Sequence, residues 1–234
     1  MKTIGVLGGL GPQATMDLEA RIHRAARRLI PPDRNGGYPP MVVFYCRHPP
    51  MRVDDRGRPL HPVRVDPRLL DAARVLGGLA DFLVVPSNGV HLFGDQIERA
   101  SGRRLVSMVD AAIRDVRRRE WRSVGVLGLG RPVVYTEPLG RLGVRCETVA
   151  DDLQAPVDAA IFRVMEGRND EDDAAATRRA VASLLGRGVD GVILGCTEIA
   201  IVLGEDNLCR LVQDGNVIDP LELLAEAAVR HAMS

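Results

Sequence analysis

The chain opens with a short apolar run, Thr3-Ile4-Gly5-Val6-Leu7, cut off by Gly8-Gly9-Leu10-Gly11-Pro12, after which Leu18, Ile22, Ala25 and Leu29 recur at helical spacing. Such a pattern predicts strand, glycine-rich turn and helix. Pro12 suits the first helical turn, where its missing N–H costs nothing. Pro31 to Pro40 reads as loop and Met41 to Cys46 as a second strand. From Arg47 to Pro67, Pro and Arg dominate without periodicity, which marks this stretch as a candidate lid. A helix over Pro67 to Gly77, a strand over Phe82 to Val85 and the sharp interruption Pro86-Ser87-Asn88 complete the first half.

The pattern then restarts. Ser123 to Leu127 echoes Thr3 to Leu7, and Val192-Ile193-Leu194-Gly195-Cys196-Thr197 echoes Leu83-Val84-Val85-Pro86-Ser87-Asn88. This predicts an internal repeat of one supersecondary module: an α/β protein of two pseudo-symmetric lobes, each a parallel sheet flanked by helices. Residues 1–105 with 215–234 are assigned to the N-terminal lobe and 106–214 to the C-terminal lobe. Ligands of parallel sheets bind outside the carboxyl ends of the strands, and Ser87 and Cys196 each sit just past such an end. Lobes facing one another about a pseudo-twofold axis would bring both side chains to a shared cleft. Unrelated loops would leave them ordinary turn residues.

Composition narrows the function classes. The 234 residues carry 31 basic and 31 acidic side chains, with three Tyr, one Trp and four Phe. Neither the field nor the stacking platform that nucleic acid requires is present. No apolar run approaches the roughly 20 residues of a membrane helix, and the start runs into a strand without a signal core, so a soluble, cytoplasmic protein is expected. The four cysteines (Cys46, Cys146, Cys196, Cys209) form no C-x-x-C pair, which argues against a zinc or redox site and leaves free thiols. Cys46, Cys146 and Cys209 are assigned to structure. The acidic run Asn169 to Asp173 reads as a helix start rather than a metal site.

Gly9-Leu10-Gly11-Pro12-Gln13-Ala14 fits the dinucleotide fingerprint G-x-G-x-x-A, yet the next strand ends in Phe44-Tyr45-Cys46-Arg47 without an acidic residue for a ribose. The same turn suits a small carboxylate at a helix N-terminus, or serves only a tight backbone turn. The case changes when the segments are taken together. Gly8-Gly9-Leu10-Gly11-Pro12-Gln13-Ala14-Thr15, Pro86-Ser87-Asn88-Gly89-Val90-His91 and Leu194-Gly195-Cys196-Thr197-Glu198-Ile199 resemble the three signature segments of the aspartate/glutamate racemase superfamily. Asp219-Pro220-Leu221 resembles its closing segment. The resemblance implies two α/β lobes, a homodimer, no pyridoxal phosphate or other cofactor, no metal, and an active site in the cleft between the lobes. There two cysteines would move the α-proton of a small, acidic amino acid.

The sequence departs from that pattern at Ser87, which stands where the family racemases place their first cysteine, and at Gly89, where they carry threonine. The second-lobe loop Gly128-Leu129-Gly130-Arg131-Pro132 lacks the family threonines, and Arg163, Met165 and Glu166 occupy the neighbourhood of a family lysine. The expected catalytic groups are Cys196, as acid or base, and Ser87, delivering a proton or hydrogen-bonding substrate. Expected to bind substrate are Gly9, Gly11, Arg52, Asn88, Gly89, His91, Thr197 and Glu198. Asn88 and Thr197 would donate to the substrate carboxylate. Arg52, with Arg47 and Arg131 as rivals, would pair with a distal carboxylate. His91 would orient its loop. Glu198 would either bond His91 or the surroundings of the thiol, or lie exposed in a first helical turn. The alternatives to a racemase or epimerase are a single-cysteine decarboxylase of a malonate-type acid on the same fold, and a catalytically silent ligand-binding protein.

Overall fold

The computed structural model describes residues 1–32, 37–54 and 60–234. The chain divides into two compact units, Met1–Ser107 with Leu224–Ser234, and Met108–Leu223.

The first unit is built on a three-stranded parallel sheet in the order β2-β1-β3, with β1 Ile4–Gly8, β2 Met41–Tyr45 and β3 Phe82–Val84. Every residue of β1 is buried, as expected for a central strand covered on both faces, and this explains its continuous rather than alternating apolar run. Ile4 pairs with Met41 on one side and Phe82 on the other. Helix α1 (Pro12–Leu29) carries Pro in its first turn and buries Leu18, Ile22 and Ala25. Helix α2 (Pro67–Gly77) starts where Asp66 accepts a hydrogen bond from Arg68 N and Pro67 supplies a preset φ; it buries Leu69, Ala72, Ala73 and Leu76. A 3-10 turn over Gly89–Phe93 leads into α3 (Gly94–Ser101). Helix α10 (Pro220–Met233) ends in this unit, where His231 meets the edge of Phe82 at 4.5 Å between ring centres.

Of the candidate lid, residues 55–59 lie outside the described residues, as do 33–36 of the preceding loop. The described part is tied at its base: Met51 and Val65 form an antiparallel bridge, and Asp66 N donates to Pro50 O at 3.0 Å.

The second unit holds a four-stranded parallel sheet in the order β5-β4-β6-β7, with β4 Ser123–Leu127, β5 Arg145–Glu147, β6 Gly191–Leu194 and β7 Val217–Ile218. Around it lie α4 (Met108–Arg118), α5 (Val133–Arg141), α6 (Asp151–Met165), α7 (Glu171–Gly186), α8 (Thr197–Leu203) and α9 (Glu205–Gln213). Val157, Ile161, Val181, Leu184, Val192 and Leu194 pack in its core. Because β7 pairs with β6 at Val192–Val217, residues 215–223 belong to this unit. The return to the first unit therefore falls at Leu224 rather than at residue 215. The acidic run behaves as a helix start: Asp170 caps α7 by accepting from Asp173 N at 2.9 Å, and Arg163 pairs with the buried Asp173. The arginine near the position of the family lysine is thereby engaged between two helices.

Candidate active site

In the first unit the glycine turn is fixed by backbone crowding. Gly9 has φ +77°, and a Cβ there would lie 2.7 Å from Cys46 N and Tyr45 Cα, so only glycine fits between β1 and the end of β2. Thr15 Oγ1 accepts from Gly9 N at 2.8 Å and donates to Gly11 O at 3.1 Å. Arg47 donates to Gly9 O at 2.9 Å, which occupies one of the three candidate arginines with the turn itself. Gln13 Oε1 is buried with no hydrogen-bond partner among the described residues.

Ser87, Asn88, Gly89 and His91 follow β3 along one loop. His91 Nδ1 meets Ser87 O at 2.9 Å, so Nδ1 carries the proton and donates. His91 N donates to Asn88 O at 3.1 Å, so ring and backbone of His91 both bond within the loop. Asn88 is buried and Ser87 half-buried. At Gly89 a Cβ would meet nothing within 4 Å. Arg52 lies on the excursion after β2. Its N–H donates to Arg64 O at 2.9 Å, its carbonyl accepts from Leu60 N at 3.0 Å, and the residue is exposed.

In the second unit Cys196, Thr197 and Glu198 come together at the tip of β6. Cys196 occupies the N-cap of α8 in extended conformation. Glu198 is 3% exposed, and its Oε2 accepts from Cys196 Sγ at 3.1 Å and from Thr197 Oγ1 at 2.9 Å. The structure excludes an exposed first-turn glutamate, because the carboxylate turns inward and two donors satisfy it. The Thr197 hydroxyl donates to Glu198. Removal from water, together with the adjacent Glu198 carboxylate, holds the Cys196 thiol well above its ordinary value. The N–H groups of Glu198 and Leu129 act in the opposite direction, favouring the thiolate. Cys196 therefore rests as a thiol, with its proton directed at a carboxylate.

Tyr135 on α5 was not singled out by the sequence, yet it is fully buried. Burial, and then the nearby Asp219 and Cys196, raise its phenol well above the usual range. Asp219 accepts from Leu221 N at 3.0 Å and so caps the start of α10. The resemblance marked Asp219, but nothing in the sequence pattern marked Tyr135. The remaining thiols differ in setting. Cys46 is buried, and burial pushes it up to about 11; burial also raises Cys146, and Cys209 is exposed on α9. Among the described residues no three His, Cys, Asp or Glu side chains are grouped as a metal centre would require, and no helix is long and apolar enough to cross a membrane.

The chain has relatives. Residues 7–228 match the family described as Asp/Glu/Hydantoin racemase. The broad specificity amino-acid racemase RacX of Bacillus subtilis is 22% identical over 230 residues, which cover 97% of this chain and 96% of RacX. An aspartate racemase homologue from Pyrococcus horikoshii superposes with a TM-score of 0.73 at 22% identity, over 100% of both chains. Arylmalonate decarboxylase shares the fold at greater distance, with a TM-score of 0.51 and 15% identity over 98% of this chain and 92% of its own. With the family match running through both glycine turns, the His91 loop and the Cys196 tip, the chain belongs to the Asp/Glu/hydantoin racemase family.

Proposed function

We propose that the protein is a cofactor-independent racemase or epimerase of a small amino acid, exchanging the α-proton through Cys196. The observation that carries this reading is the 3.1 Å hydrogen bond from Cys196 Sγ to the buried Glu198 carboxylate. A thiol at a strand tip with its own proton acceptor is equipped for proton transfer at carbon. In the removal direction the Sγ proton passes to Glu198 Oε2. The thiolate then takes the α-proton, an S–H bond forms, and the C–H electron pair delocalises into the substrate carboxylate. Return of a proton from the same thiol restores the starting configuration, so inversion requires a second donor to the opposite face, the role proposed for the Ser87 hydroxyl, which recovers its proton from water; in the reverse sense Cys196 is the donor. The sulfur rests protonated, so its donating form is present without a prior step, whereas taking the α-proton first requires loss of its own proton to Glu198. Ser87, a hydroxyl where the family racemases place a thiol, makes a poor resting base without an acceptor beside it. The reaction is therefore proposed to be unequal in kcat between enantiomers, while the equilibrium stays that of the free amino acids. Asn88 is proposed as a donor to the substrate carboxylate, and Arg52 as the partner of a distal carboxylate where the substrate has one.

The test is incubation of L- and D-amino acids, aspartate and glutamate included, with wild type and Cys196→Ala, followed by chiral separation. Interconversion by wild type alone supports the reading. Equal kcat for both enantiomers contradicts the one-sided mechanism. The presence of this single thiol at a strand tip also favours a second reading, decarboxylation of a malonate-type acid, in which Cys196 would only protonate the enolate left after carbon dioxide departs. Release of carbon dioxide dependent on Cys196 selects it.

A further inference from the structure

The loop after β4 is held from the side by helix α6. Gln154 Nε2 donates to Gly128 O at 2.8 Å and to Asp158 Oδ1 at 2.7 Å, and the same Oδ1 accepts from Gly130 N at 3.0 Å. Gln154 and Asp158 are four residues apart on one helical face, so both reach the loop together. Three hydrogen bonds thus close around Gly128-Leu129-Gly130, and Gly130 sits at φ +56°, a left-handed conformation that the brace holds in place.

The braced loop lies against the segment that carries Cys196. Gly195 N donates to Leu127 O at 2.6 Å, and a Cβ on Gly128 would come within 3.2 Å of Gly195 O. Leu129 lies between Gly128 and Gly130, so the brace sets the backbone of the one loop residue whose N–H favours the charged form of the Cys196 sulfur. The charge of Asp158, taken alone, disfavours that form. The two effects of Asp158 therefore have opposite signs and can be separated.

We propose that Gln154 and Asp158 are positioning residues for Cys196, and that their brace, acting through the Gly128–Gly130 loop, controls the reactivity of the sulfur. This rests on the proposed role of Cys196 only for its consequence in turnover, since the chemical reactivity of a thiol is measurable without any substrate. The titratable groups around the sulfur are Glu198 on α8 and Tyr135 on α5, with Asp219 beside Tyr135. All three are kept in the variants below.

The experiment is iodoacetamide alkylation of the full chain across pH, with Cys196 followed by peptide mass spectrometry so that Cys209 does not contribute. Asp158→Ala and Gln154→Ala are expected to move the alkylation midpoint up by about one unit. At pH 8 this slows the reaction about threefold, because a tenfold loss of thiolate is partly offset by its greater nucleophilicity. Asp158→Asn keeps an oxygen acceptor for Gly130 N and loses the charge, so it is expected to react at least as fast as wild type. An unmoved or lowered midpoint in Asp158→Ala would overturn the proposal, since Asp158 would then act only as a distant charge. Equal slowing of Asp158→Asn and Asp158→Ala would overturn it as well. Melting curves identify a variant that does not fold. In that event Gln154→Ala, which breaks the brace from its other end, decides by the same criterion. Failure of the racemase reading leaves all these outcomes unchanged.

Discussion

Replacing Glu198 by Gln isolates the charge that faces the thiol. Gln keeps an oxygen that can accept from both Cys196 Sγ and Thr197 Oγ1, which lie 3.1 and 2.9 Å from Oε2 in the wild type. The carboxylate charge is shared over two oxygens, so its effective separation from the sulfur is about 4 Å, worth about 4 kcal/mol at the effective dielectric of a protein site. That corresponds to about three units in the ionisation of the thiol. The alkylation midpoint of Cys196 should fall by that order, and the rate at neutral pH should rise roughly 40-fold once the lower nucleophilicity of a more acidic thiol is included. A linked effect appears in stability. A thiol held above its ordinary value in the folded state contributes stability that is fully present below the unfolded thiol range and is lost as pH rises from there through the raised folded value. Wild type should therefore lose more melting temperature between pH 8 and pH 10 than Glu198→Gln. An unchanged or higher midpoint, or a slower alkylation, would refute the reasoning.

Other consequences concern the supports of the site. Thr197→Val removes one of two donors to a carboxylate that is 3% exposed, and should cost about 1–3 kcal/mol in chemical denaturation; a loss below the error of the measurement would contradict it. Gly9→Ala forces a Cβ to 2.7 Å from backbone at φ +77° and should destabilise by about 1–3 kcal/mol or more, whereas Gly89→Ala, with nothing within 4 Å, should melt close to wild type. The Asp66 carboxyl, held down to about 2 chiefly by hydrogen bonds from the Arg68 side chain, supports folding above its unfolded value and stops doing so as pH falls through about 2. Melting temperatures taken from pH 5 to pH 2 should fall more steeply for wild type than for Asp66→Asn, and parallel curves would show the pair to be inconsequential.

How much of this could be read in the sequence depends on whether the signal was local. The span of helix α2 was legible as Pro67 to Gly77, where the structure shows the Asp66 cap and the preset φ of Pro67, and the acidic run Asn169 to Asp173 announced the start of α7. The buried strands β1 and β4 declared themselves by short apolar runs that end in glycine-rich turns. Strand β7 did not: two residues, Val217 and Ile218, have no periodicity, and only pairing with β6 assigns them. At the site, Cys196 stood out through its motif. The inward turn of Glu198 did not, because a first-turn glutamate satisfies the helix dipole equally well when exposed. Tyr135 near Cys196, and Gln154 and Asp158 on the Gly128–Gly130 loop, come from helices distant in sequence. No local pattern encodes that placement.

The central claim is that Cys196 moves a proton at carbon. Proton NMR of amino acids incubated in heavy water with the protein tests it most directly, because loss of the α-proton signal reports the transfer whether or not configuration changes. The account predicts loss of that signal with wild type and its retention with Cys196→Ala. Equal loss with both proteins would contradict it.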